Sequence, residues 1–179
     1  LTETGQWDKI SAIMCDAAGK LAIAGAECLL LCANTMHRIA AEVQHSIDIP
    51  LIHIAEAIGA AINEKEMKKI ALLGTKYTMQ LDFYKDKLLE QGIKTIIPNE
   101  EEIEMINTSI YTEMGKGIFL PERQQQFLAV MNRLAGEGAE GIILGCTEIP
   151  ILIRQADTSV PLFDSTDIHA SAAVAFALK

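Results

Sequence analysis

Gly138-Ala139-Glu140-Gly141-Ile142-Ile143-Leu144-Gly145-Cys146 echoes an earlier run, Gly25-Ala26-Glu27-Cys28-Leu29-Leu30-Leu31-Cys32. Both runs begin Gly-Ala-Glu, pass through a strand-length apolar stretch and end in cysteine. After each cysteine come polar residues, a short helical stretch and a matching segment, Pro50-Leu51-Ile52-His53 or Pro161-Leu162-Phe163-Asp164. An internal repeat on this scale reads as two related halves of one α/β protein.

Working outward, short β-rich runs alternate with longer segments of helical period, the pattern of parallel strands joined by helices. Strands are expected at Cys28 to Ala33, Pro50 to Ile54, Lys69 to Thr75, Lys94 to Pro98, Gly141 to Cys146 and Val160 to Phe163. Helical stripes run through Trp7, Ile10, Met14, Ala17 and Leu21, through Met36, Ile39, Ala40, Val43 and Ile47, and through Phe127, Val130, Met131 and Leu134. The second half carries an additional strand and helix before its cysteine, from Lys69 onward, for which the first half has no room. Because Cys32 comes so early and residue 1 is Leu, an N-terminal strand and helix are expected to be missing.

With 179 residues, 50% hydrophobic and 22% charged, the chain can bury a core. Fifteen Lys and Arg stand against 24 Asp and Glu, and the net charge of -9 repels nucleic-acid phosphates and anionic membrane surfaces. The apolar runs fall far short of the roughly 20 residues that cross a bilayer. No leader pattern is present, so the cytoplasm is the expected compartment. The four cysteines, Cys15, Cys28, Cys32 and Cys146, form no short-spaced pair of the zinc or dithiol type.

A free cysteine in an apolar strand is usually a small buried hydrophobe, and Cys15 and Cys28 are read that way. Cys32 and Cys146 differ by position. Each ends a repeated strand at the carboxyl edge of a parallel sheet, where α/β proteins place ligands. Each is followed by a helix-opening polar cluster, Ala33-Asn34-Thr35 or Thr147-Glu148, with Pro150 suited to a first helical turn. Helix-start N–H groups can hold a substrate carboxylate and are expected to lower a thiol pKa. Two thiols across one cleft suit removal of an α-proton from one face of a carbon and delivery of another to the opposite face, as a racemase requires. Such chemistry demands neither metal nor organic cofactor.

Leu31-Cys32-Ala33-Asn34-Thr35-Met36-His37 and Leu144-Gly145-Cys146-Thr147-Glu148-Ile149 resemble the paired motifs of the aspartate/glutamate racemase family. Ala71-Leu72-Leu73-Gly74-Thr75-Lys76-Tyr77-Thr78 and Pro161-Leu162-Phe163-Asp164 follow in the expected order, so the resemblance covers essentially the whole chain. It is strongest to the aspartate racemase branch, including broad-specificity amino-acid racemases. The resemblance implies two pseudo-symmetric α/β domains, each with a parallel sheet flanked by helices, and an active site between them. Here they would be 1–66 plus 164–179, N-terminally incomplete, and 67–163. It also implies a homodimer, independence from pyridoxal phosphate, and Cys32 and Cys146 as proton donor and acceptor. Ala33, Asn34 and Thr35 would bind the substrate's carboxylate and amino group, with Thr147 serving similarly beside Cys146. Lys116 falls where some members hold an acidic side chain, which would select aspartate or glutamate.

Thr75 ends a strand and is a further candidate for substrate contact. His37, His53 and His169 lie near strand ends and read as structural; His53 and Asp164 occupy corresponding places and suit orienting roles. The run Asn99 to Glu104 reads as an acidic first helical turn. Related isomerases of unsaturated diacids, such as maleate isomerases, and hydantoin racemases also use paired cysteines, and arylmalonate decarboxylases use one. The Asn34-Thr35 and Thr147-Glu148 pairings favour an amino-acid substrate. The alternatives of another class are a non-catalytic binder of small carboxylic acids and a dithiol redox protein, the latter disfavoured by the wide cysteine spacing.

Overall fold

The computed structural model describes residues 5–179. Helix α1 (Trp7–Ile23) is followed by an extended stretch, a 3-10 helix (Asn34–Ile39), α2 (Ala40–His45) and α3 (Ile54–Asn63). Then come β1 (Lys69–Gly74), α4 (Lys76–Gln80), α5 (Asp82–Leu89), β2 (Lys94–Ile96) and α6 (Glu100–Thr112). A 3-10 turn (Met114–Lys116) leads into α7 (Pro121–Gly136), β3 (Gly141–Gly145) and α8 (Ile149–Leu152). Another 3-10 turn (Gln155–Asp157), β4 (Leu162–Asp164) and α9 (Ser165–Ala177) complete the chain.

The strands form one four-stranded parallel sheet in the order β2-β1-β3-β4. Side chains alternate between its faces. Ala71, Leu73, Ile142 and Leu144 face a core built from α6, α7 and α8, including Ile106, Phe127, Met131, Leu134 and Ile149. Ile70, Leu72, Ile143 and Phe163 face the opposite core, where α3 supplies Ile54, Ala55, Ile58 and Ile62 and α5 supplies Tyr84 and Leu88. Central strands covered on both faces read as unbroken apolar runs, which is why Ile142-Ile143-Leu144 shows no alternation. Each fully buried Ile or Leu contributes roughly 1.5–3 kcal/mol, so the sheet is a firm base for whatever its carboxyl edge carries.

The other expected strands are shorter than read. The segments Cys28 to Ala33 and Pro50 to Ile54 meet in a single parallel bridge, Leu29 with Leu51. The Leu29 N–H donates to the Pro50 carbonyl, and the Ile52 N–H donates to the Leu29 carbonyl, both at 2.9 Å. The physical reason is competition from helices and a side chain. The 3-10 helix takes over at Asn34 and α3 at Ile54, while the Gln44 carboxamide satisfies the Leu51 N–H at 2.7 Å and the Ile49 carbonyl at 3.0 Å. Leu29, Leu31, Ile39, Ala40 and Val43 instead join Ile10 and Ala18 of α1 in a third core. The stripe expected on α1 is correspondingly narrow, with Leu21 half exposed.

Several local expectations match the structure. Phe127, Val130, Met131 and Leu134 are all buried on α7. Asn99 and Glu102 form a reciprocal cap at the start of α6, whose first turn carries Glu100, Glu101 and Glu102. The corresponding residues His53 and Asp164 cap α3 and α9, which pack side by side.

Candidate active site

A cleft of about 310 Å3 opens at the carboxyl edge of the sheet. Cys32, Ala33, Asn34 and Thr35 line it from one side, and Gly145, Cys146, Thr147 and Glu148 from the other. Thr75, Ile110, Tyr111 and Gly115 complete the lining. The edge is built by close backbone approach: Gly74 and Gly145 are register partners, and a Cβ on Gly145 would lie 2.8 Å from the Leu73 carbonyl oxygen. Thr75 caps α4, and its Oγ1 lies 3.0 Å from Thr35 Oγ1 and 3.1 Å from Thr78 Oγ1. These hydroxyls fasten the Cys32 loop to the end of β1.

Cys146 is partly buried and donates its S–H to Glu148 Oε2 at 2.8 Å; the Thr147 hydroxyl donates to the same oxygen at 2.7 Å. Burial, followed by the hydrogen bond and negative charge of Glu148, pushes the thiol up to about 12. The N–H groups of Glu148 and Thr147 act in the opposite sense and are outweighed. This corrects the expectation of a lowered thiol at this position, because burial first, and then a carboxylate two residues away, count for more than the backbone groups. Burial alone would raise Glu148; hydrogen bonds from Cys146, Thr147 and its own N–H hold its carboxyl below the usual range. At neutral pH the pair is therefore thiol and carboxylate.

Cys32 is exposed at the end of its extended segment. Beside it, Asn34 is buried and donates Nδ2–H to Ser165 Oγ at 3.0 Å, and Ser165 donates to the Leu144 carbonyl at 2.7 Å. Behind the loop lie three buried histidines. His37 meets His53 edge to face at a centroid distance of 4.6 Å and His169 at 5.5 Å. The His37 Nδ1–H donates to the Ala33 carbonyl at 3.1 Å, while Nε2 accepts from the Ile54 N–H at 3.2 Å, a pattern met only by the neutral ring. His169 Nε2–H donates to the Ile52 carbonyl at 2.7 Å. Burial, then the charge of His53, pushes His37 down to about 3; burial also brings His53 to about 4, with Lys87 and His169 adding to it and Glu56 and Glu90 opposing. His169 is lowered by burial too. None of the three lines the cleft that holds both cysteines; His37 and His53 face a separate pocket of about 420 Å3.

Of the residues expected at the site, Cys32, Ala33, Asn34, Thr35, Thr75, Cys146 and Thr147 share one cleft. Lys116 does not join them: it is exposed at the end of its 3-10 turn, one residue beyond the cleft-lining Gly115. Two residues with direct contacts in this geometry were not among the site residues expected from the sequence: Glu148, read only as part of the polar cluster after Cys146, and Ser165. The Glu148 signal was present, since a carboxylate two residues past a cysteine in a turn can reach its sulfur. Nothing local marks Ser165, whose partners are 131 and 21 residues away.

A model of the Asp/Glu/hydantoin racemase family matches residues 1–173. The broad-specificity amino-acid racemase RacX of Bacillus subtilis is 27% identical over 170 residues, covering 93% of this chain and 72% of the relative. Among solved structures, a candidate Asp/Glu racemase from Yersinia pestis is 40% identical with a TM-score of 0.94, covering 100% of this chain and 78% of that one. An aspartate racemase homologue from Pyrococcus horikoshii is 36% identical with a TM-score of 0.87, covering 98% and 77%. The chain belongs to the Asp/Glu/hydantoin racemase family and is an enzyme of the racemase type.

Proposed function

We propose that the chain carries the catalytic core of a cofactor-independent amino-acid racemase acting on aspartate and/or glutamate, with Cys32 and Cys146 as opposed acid and base. The observation that supports this reading most is that both thiols line one cleft, from corresponding segments of a repeated sequence.

In this reading a Cys32 thiolate takes the α-proton from one face, leaving negative charge spread into the substrate carboxylate. The Cys146 thiol delivers its own proton to the other face. Cys146 suits the acid role in the resting enzyme because a thiol near 12 is almost wholly protonated at neutral pH. Once deprotonated it is a strong base, and its thiolate beside Glu148 is driven to regain a proton, which serves the reverse direction. Ala33, Asn34, Thr35, Thr75 and Thr147 bind the substrate's carboxylate and ammonium. Lys116 approaches from the rim toward a side-chain carboxylate. The two thiols perform both proton transfers, so the reaction calls for no cofactor. The same reading divides the chain into 1–66 plus 164–179 and 67–163, and places the protein in the cytoplasm as a homodimer.

Proton NMR in D2O with L-aspartate, L-glutamate and a panel of neutral L-amino acids tests the proposal. Loss of the α-proton signal with wild type, and of racemisation in both Cys32→Ser and Cys146→Ser, is expected. Full racemisation by either variant refutes the two-thiol mechanism. Binding of amino acids without any exchange favours a carboxylate-binding protein.

A further inference from the structure

Ser165 opens α9 directly after β4, is fully buried, and touches both cysteine loops. Its hydroxyl donates to the carbonyl of Leu144, two residues before Cys146, and its oxygen receives Nδ2–H of Asn34, two residues after Cys32. A hydroxyl has one proton, and a carbonyl can only accept. The Leu144 contact therefore commits that proton, and Asn34 can meet Ser165 only with its NH2 group. The opposite end of the amide follows: Asn34 Oδ1 is buried and has no hydrogen-bond partner among the described residues. Buried acceptors are nearly always paired. This one belongs to Asn34, a residue only 6% exposed and among those lining the cleft that holds both thiols.

We propose that Ser165 is a positioning residue: by fixing the Asn34 amide it presents Oδ1 as the acceptor for the substrate's α-ammonium, and it links that choice to the Cys146 loop through Leu144. The inference rests on the amino-acid reading above. Without the hydroxyl the amide can turn over and offer N–H groups to a cation, so the effect is specific to ligands that carry the ammonium.

The test compares the amino acid that wild type racemises fastest with the acid lacking only its amino group, succinate for aspartate or glutarate for glutamate. In Ser165→Ala the amino acid should bind roughly 10- to 100-fold more weakly, the worth of a hydrogen bond to a charged group. The desamino acid should stay within about twofold, the usual tolerance for independent changes, and its binding also reports an intact cleft. In an Asn34→Ala background, adding Ser165→Ala should leave the ratio of the two affinities unchanged. Ser165→Cys, which keeps the shape but accepts hydrogen bonds weakly, should show the same selective loss if Ser165→Ala proves unstable. Equal weakening of both ligands, or a further loss of the ratio in the Asn34→Ala background, overturns the proposal. A wild-type protein that neither exchanges an α-proton nor prefers the amino acid overturns the racemase reading itself; a racemising wild type whose Ser165 variants keep the ratio overturns this inference alone.

Discussion

Acidification from pH 7.5 to pH 5 should cost this protein about 4 kcal/mol of folding stability through His37 and His53. Burial is the main cause in both, and it brings them to about 3 and about 4 from an ordinary value of 6.5. Because the folded values lie below the unfolded one, the unfolded chain binds more protons in between. Stability is then complete above about pH 6.5 and falls as the pH drops toward the folded values. At pH 5 each ring forgoes about 1.5 pKa units of protonation, or about 2 kcal/mol. The sum is a large part of the 5–15 kcal/mol typical of a folded domain, and should lower Tm by about 8–16 °C in a chain of this size. Thermal unfolding followed by circular dichroism at several pH values measures it, with His37→Gln as the comparison. The variant should lose about half of the pH dependence. A Tm that is flat over this range, or an undiminished slope in His37→Gln, would refute the reasoning.

Other perturbations address the cleft directly. Glu148→Gln removes the charge that raises Cys146, so alkylation of Cys146 at pH 8, read by mass spectrometry, should accelerate about tenfold for each unit of pKa lost; an unchanged rate means that burial alone holds the thiol. Gly145→Ala puts a Cβ 2.8 Å from the Leu73 carbonyl, forcing β1 and β3 apart. Denaturant unfolding should show a loss of about 1–3 kcal/mol, with racemase activity reduced further as Cys146 shifts, and wild-type stability would show that the strands yield freely. Lys116→Ala should reduce the preference for dicarboxylic over neutral amino acids in a substrate panel; an unchanged profile makes Lys116 a surface residue.

The legible part of this protein lies where local pattern and tertiary packing agree. Ile142-Ile143-Leu144 and Ile70-Ala71-Leu72 announced buried parallel strands because both faces of the sheet are covered, and they became β3 and β1. Cys28 to Ala33 has the same apolar look but pairs only at Leu29. Composition cannot say whether a strand's hydrogen bonds go to another strand or, as beside Leu51, to the Gln44 side chain. Lys116 was placed by its position in the chain; in the fold it is exposed, one residue beyond the cleft-lining Gly115.

By itself the sequence determined that this is a parallel α/β protein of the racemase family and that Cys32 and Cys146 occupy equivalent positions, because repetition and hydrophobic period are properties of local order. Only the tertiary structure decided their environments. Desolvation and hydrogen bonding depend on atoms that meet across long stretches of chain: Ser165 reaching Asn34 and Leu144, three histidines sharing one buried site, and a sheet edge that seats Cys146 against Glu148 while Cys32 stays exposed.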